Sequence, residues 1–180
     1  MGVHLIAQYE RDHLVSERND MKGKPQVEAC TIPLDLIQEM LPHAGRWSLI
    51  QEDVIAVVGN DRLSTGGTTC FTVKTSHCEG HFPGNPVFPG VLLVELAGHV
   101  LGVVTYGPSW LEPEGKSNAT LPYFRGCGEI KFRKPVLPEH TLTVTAKITN
   151  RKSVMVKGDV EIKCGEKVVA VISNILIAPQ

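Results

Sequence analysis

From Val91 to Val104 the chain is almost purely aliphatic, broken by one acid, Glu95, one imidazole, His99, and two glycines. The run is long enough for about four helical turns and predicts a helix that must be covered nearly all round. A shorter helix is predicted over Pro33–Leu41, with Pro33 at its first position and apolar residues at helical spacing. It should stop before Pro42. From Trp47 onward the pattern turns to extended segments. Strands are predicted over Ser48–Val58 and within Asp61–Lys74, the second interrupted or bulged at Gly66-Gly67. Tyr123–Arg133, Thr141–Asn150, Ser153–Cys164 and Val168–Ile177 complete the set, with a turn at Cys164-Gly165-Glu166-Lys167. Residues 107–120 read as a loop. Residues 1–28, mixed and charged, read as an N-terminal extension with a short helix near 5–15, ahead of a single domain over 29–180.

One long apolar helix among many strands has an economical solution, a curved antiparallel sheet wrapped around it. The expected class is therefore α+β. A sheet cannot close the whole surface, so a second subunit is expected to cover the remainder. Gly98 and Gly102 form a small-residue strip where another backbone could approach.

Bulk properties narrow the function. A formal net charge of −1 argues against a nucleic-acid partner. The five cysteines, at 30, 70, 78, 127 and 164, include no C-x-x-C pair and suit free thiols in a reducing compartment. The N-terminus lacks the basic start and apolar core of a secretion signal, and the acidic residues after it argue against a transit peptide. The run 91–104 is short for a membrane span and is interrupted by Glu95 and His99. A soluble, cytoplasmic protein is expected.

Candidate chemistry gathers immediately before the long helix. The stretch His81-Phe82-Pro83-Gly84-Asn85-Pro86-Val87-Phe88-Pro89-Gly90 holds three prolines beyond its first residue pair and two glycines, which fix a stiff, non-helical path. His81, held by that loop, is a candidate general base, since imidazole titrates near neutral pH. The plainer alternative is a histidine that only ties the loop together. Burying Glu95 unpaired would cost several kcal/mol. It is therefore either a working acid with a raised pKa or a carboxylate paired with an Arg or Lys. His99, one turn on, shares its helical face and would satisfy it. Gly90 opens the helix, where a backbone N–H at the positive end of the dipole can polarise a carbonyl oxygen. His77-Cys78-Glu79-Gly80-His81 is too loosely spaced for a metal site, and no metal or other cofactor is expected. Arg125, Lys131, Arg133 and Lys134 form a local basic group, either a solvated face or a receiver for an acidic protein or phosphate.

These residues resemble the (3R)-hydroxyacyl-acyl carrier protein dehydratases of fatty-acid synthesis. The likeness is carried by His81-Phe82-Pro83-Gly84, Pro86-Val87, Pro89-Gly90-Val91-Leu92 and Glu95. Upstream it takes in Leu41-Pro42-His43 and Leu49-Ile50; downstream it takes in Tyr123-Phe124, Lys131-Phe132-Arg133-Lys134-Pro135-Val136 and Pro138, so that it covers about residues 32–178. The resemblance implies the hotdog fold, a homodimer or a trimer of dimers, and an active site shared between two subunits. His81 of one chain would take the C2 proton of a 3-hydroxyacyl thioester. Glu95 of the other would assist the departing hydroxyl, and Gly90 would hold the thioester oxygen. Phe82, Phe88, Tyr123, Val91 and His99 would line the acyl site, and Arg125, Lys131, Arg133 and Lys134 would meet acyl carrier protein.

The chain departs from the family pattern in places. Asn85 stands where His is usual, Phe88 where Met is common, His99 where Gln is usual, and Cys127-Gly128-Glu129 replaces a typical Ile-Asp-Lys. Those departures, with the 107–120 loop and the extension, point to a specialised member, one serving a polyketide or other secondary-metabolite carrier. Two alternatives stand beside dehydration: a hotdog acyl thioesterase, and a catalytically silent subunit that binds acyl thioesters.

Overall fold

A computed structural model describes residues 27–41, 43–59, 63–112 and 122–179. The extension and its predicted helix near 5–15 lie outside the described residues up to position 26. Among the described residues, eight strands, β1 (Val27–Ile32), β2 (Val54–Gly59), β3 (Ser64–Thr72), β4 (Pro122–Gly126), β5 (Glu129–Phe132), β6 (Thr141–Lys152), β7 (Met155–Cys164) and β8 (Lys167–Pro179), accompany two α-helices, α1 (Leu34–Met40) and α2 (Gly90–Trp110). The strands form one antiparallel sheet in the order β1-β2-β3-β6-β7-β8-β4, and β5 pairs with the first half of β8. α2 packs across one face of the sheet, most extensively against β3 and β6, and also against β2, β8 and β7. This is the wrapped helix of the hotdog arrangement.

Alternation places one face of each strand on that helix. Leu142, Val144 and Ala146 of β6, Val156, Val160 and Ile162 of β7, and Ile172, Ile175 and Ile177 of β8 are buried. Their neighbours in sequence mostly face outward, the period expected of a sheet with one face on a core. α2 supplies the opposite wall with Leu93, Leu96, Ala97, Val100, Leu101, Val103 and Val104. Along α2, residues 99–105 are all buried, while Val91 in the entry turn and Ser109 in the last turn are exposed.

The sheet bends by breaking register. Between β7 and β8 the pairing slips between Gly158 and Val160, and there Asp159 Oδ1 accepts the Asn174 N–H at 2.8 Å. Asn174 has φ +53°, which turns the strand so that inward positions shift from Ile172 to Ile175. Between β2 and β3 the slip leaves Thr65 unpaired, immediately before Gly66-Gly67. Those glycines make room. A Cβ on Gly67 would strike the Val104 side chain of α2 and the backbone of β2, and one on Gly66 would strike the β6 backbone.

Several element boundaries differ from those predicted, each for a tertiary reason. α2 runs through Gly107 and Pro108 to Trp110 instead of yielding to a loop at 107. Its last turns are held because Gly107 lies against Ile32 of β1 and the Tyr106 hydroxyl donates to the Val154 carbonyl at 3.1 Å. The predicted strand 123–133 is two strands separated at Cys127-Gly128, which lets β4 and β5 pair with different halves of β8. The strand expected from Ser48 begins only at Val54, and β1 is a strand where the sequence pattern was silent. Pro33 caps α1 in extended geometry (ψ 151°) and lies just outside it. The Gly98–Gly102 strip does not await a second backbone. Gly98 faces the Phe124 ring of β4, and Gly102 is buried within the chain.

Candidate active site

The loop before α2 is a small hydrogen-bonded structure. Phe82 and Asn85 exchange backbone hydrogen bonds at 3.2 and 3.0 Å, the Val87 N–H reaches the His81 carbonyl at 2.7 Å, and the Phe88 N–H reaches the Val136 carbonyl at 2.7 Å. Gly84, at φ +75°, makes the turn that Pro83 and Asn85 flank, a conformation side chains resist. Within this frame His81 is half-buried, and its Nδ1 lies 2.9 Å from the Val87 carbonyl oxygen. A carbonyl only accepts, so Nδ1 carries the hydrogen, and Nε2 is the ring nitrogen left to act as a base. The local sequence thus selects the tautomer of a base.

His81 opens onto a groove of about 300 Å³ whose walls include Phe88, Gly90, Leu93, Phe132 and Val136. Gly90, the first residue of α2, stands under the Phe132 ring. A Cβ there would come within 2.9 Å of Phe132 Cζ, so a larger residue would push the ring out of place. The positive end of a 21-residue helix meets the groove at this point. The arrangement can accept an acyl thioester, remove a proton beside its carbonyl and stabilise the resulting oxyanion.

Glu95 occupies different surroundings. Its side chain is 39% exposed, and Oε1 accepts from His99 Nε2 at 3.1 Å. His43 Nε2 lies 4.0 Å from the same oxygen, and the His43 and His99 rings stack at 4.2 Å with a 40° tilt. Of the settings expected for Glu95, pairing with His99 one turn on is the one formed, and His43 adds a second imidazole that the sequence did not point to. Burial, reinforced by His43 nearby and opposed by Glu95, lowers the pKa of His99 to about 4. The ring is therefore neutral at physiological pH.

The other predicted site residues divide between these two places and the outer surface. Phe82, 57% exposed, stacks on the His81 ring at 4.1 Å. Phe88 is buried against Phe71 at 5.6 Å and forms part of the groove wall. Val91 is exposed on the first turn of α2, and Tyr123 is exposed on β4. The basic group does not act as one patch. Arg125 donates to the Pro179 carbonyl at 2.9 Å and lies over the Tyr123 ring, while Lys131 pairs with Glu129 at 3.0 Å. Arg133 and Lys134 alone reach the rim of the His81 groove.

Two residues were not singled out from the sequence as site residues. His43 lies far from Glu95 along the chain, and only the packing of α1 beside α2 brings it there. Phe132 belongs to β5, in which every residue is exposed, so an aromatic at its end was a readable signal. His77, considered with His81 as a metal pair, accepts the Lys74 N–H through Nδ1 at 3.0 Å while His81 faces Val87.

The wrapped helix and the loop at its head define a hotdog protein with a groove beside His81. The chain belongs to the FabA-like domain family, whose match spans residues 60–173 and so includes His81, Gly90, Glu95 and His99 but not His43. It is 38% identical over 133 residues to the 3-hydroxyacyl-(acyl-carrier-protein) dehydratase FabZ of Acidiphilium cryptum, covering 72% of this chain and 74% of that one. It is also 30% identical over 149 residues to the bifunctional enzyme LpxC/FabZ of Chlorobaculum tepidum; the match covers 80% of this chain but only 30% of that longer protein. Among solved structures, the dehydratase heterocomplex ApeI:P from Xenorhabdus doucetiae shares the fold with a TM-score of 0.59 at 17% identity, over 80% of this chain and 90% of that one.

Proposed function

We propose that the protein dehydrates (3R)-3-hydroxyacyl thioesters carried on acyl carrier protein, yielding the trans-2-enoyl thioester and water. The observation that carries this reading is the 2.9 Å contact of His81 Nδ1 with the Val87 carbonyl oxygen, in a residue that lines the groove together with Gly90 at the N-terminus of α2. That contact engages Nδ1 and leaves Nε2 to accept a proton. Nε2 takes the C2 proton, and the Gly90 N–H meets the charge that develops on the thioester oxygen. The C3–O bond then breaks, and the hydroxyl leaves as water with a proton from Glu95. Family membership supports the same chemistry, since relatives named as FabZ dehydratases match through the His81–Glu95 segment.

His81 and Glu95 engage different neighbours within one chain, which supports a site completed across a homodimer. Phe82, Val91, Ile130 and Phe132 are between 42% and 72% exposed, an apolar surface suited to a second copy. Arg133 and Lys134 stand where the acidic carrier would approach. We place the enzyme in the cytoplasm, in fatty-acid synthesis or a related polyketide line, with His99 and Phe88 adjusting the acyl site.

The test is complementation. His81→Ala and Glu95→Gln proteins, each inactive alone, are unfolded together and refolded as hybrids. Hybrid dimers rebuild one intact site, so enoyl absorbance should return. Hybrids that stay silent would defeat the shared site, and free thiol without enoyl product would favour a thioesterase.

A further inference from the structure

We propose that His43, Glu95 and His99 form a binding site for a divalent transition metal, Zn²⁺ being the best matched, and that its occupancy reversibly blocks the enzyme. Their ligand atoms all lie within 4.8 Å of one another, a grouping contributed by two separate segments. Glu95 and His99, at i and i+4, present a carboxylate and an imidazole on one face of α2. His43 arrives from the segment after α1 and stacks on His99.

The distances suit coordination. Metal–ligand bonds of about 2.0–2.2 Å set adjacent tetrahedral donors roughly 3.3–3.5 Å apart. The Glu95–His99 pair is already at 3.1 Å, and His43 stands 4.0 Å from Glu95. With its side chain 37% exposed, His43 has room to turn inward. Two imidazoles and one carboxylate make a borderline donor set that leaves a fourth position for water, as zinc accepts. His99 is buried with its Nε2 turned to Glu95, so to bind a metal through that nitrogen it must pass the Nε2 hydrogen to Nδ1.

Blockage follows from the dehydratase reading, on which this part of the proposal rests: a carboxylate bound to a metal cannot protonate the leaving hydroxyl. Chelator-stripped protein is titrated with Co²⁺, followed by visible d–d absorption, and with Zn²⁺ by calorimetry. One tetrahedral Co²⁺ per chain, displaced by Zn²⁺, is expected. His99→Gln and His43→Asn, with unchanged circular dichroism, should each weaken binding at least about tenfold. Both variants retain every cysteine, so sulfur ligation cancels in the comparison. Unchanged binding in His99→Gln, or a thiolate charge-transfer band in its place, would overturn the site. Zn²⁺ should also abolish turnover of a 3-hydroxyacyl pantetheine thioester, and EDTA should restore it. Binding without inhibition would overturn the blockade. Binding by a protein with no dehydratase activity would leave the metal site standing and defeat the functional reading.

Discussion

The two ends of the proposed reaction are built differently. His81 is fixed by its own loop: six residues away, the Val87 carbonyl sets its tautomer, and the backbone hydrogen bonds that hold Val87 are local. Glu95 depends on His99 one turn along and on His43 from another element. A base whose state is set by local backbone is robust to changes elsewhere. An acid flanked by a buried imidazole and a half-exposed one depends on how a second element packs.

The sharpest way to break the contrast is His81→Ala. Removing the base should lower dehydration of a 3-hydroxyacyl thioester by about 10²–10⁴-fold, measured as enoyl absorbance. Circular dichroism should be unchanged, because the loop keeps its backbone bonds. A variant retaining most of its turnover would show that the ring merely ties the loop.

Gly90→Ala tests the groove onto which His81 opens. The added methyl would displace Phe132, and activity should fall roughly tenfold to a hundredfold by misplacement of the thioester. Gly90→Ala with Phe132→Ala should recover part of that loss. If the second change only deepens the defect, Phe132 contributes to binding rather than to crowding.

The Glu95 region should reveal itself through pH. His99 has a folded pKa of about 4, below the ordinary imidazole value of 6.5. Between those values the unfolded chain takes a proton that the folded one refuses, so this contribution to stability is whole above pH 6.5 and declines as pH falls toward 4. Metal-free protein should therefore lose Tm more steeply over that window than its His99→Gln variant. Parallel Tm curves would contradict it.

The smallest effect belongs to the rim. Arg133→Glu with Lys134→Glu should raise KM severalfold for a carrier-borne substrate and leave a pantetheine thioester unaffected. Lys131→Ala should change neither, because Lys131 is exposed and paired with Glu129. Equal effects on both substrates would place Arg133 and Lys134 in the acyl groove itself.

Much of the fold was legible because its signals are periodic. Alternation in β6, β7 and β8 and the unbroken apolar run of α2 impose inside and outside positions on neighbouring residues. What escaped depends on distant partners. Gly107-Pro108 reads as a helix end, yet Ile32 packs against Gly107 and α2 continues. Gly98 and Gly102 read as an open strip, yet Phe124 covers the first of them.

The sequence alone determined the stiff histidine loop, the helix behind it and the acid on that helix, because proline, glycine and aliphatic spacing act through bonds between near neighbours. Tertiary structure alone decided that His43 joins Glu95 and His99, that Phe132 roofs Gly90, and that only two of the four basic residues meet the groove. Those contacts join segments far apart along the chain, and only the packing of α1 and of the sheet against α2 brings them together.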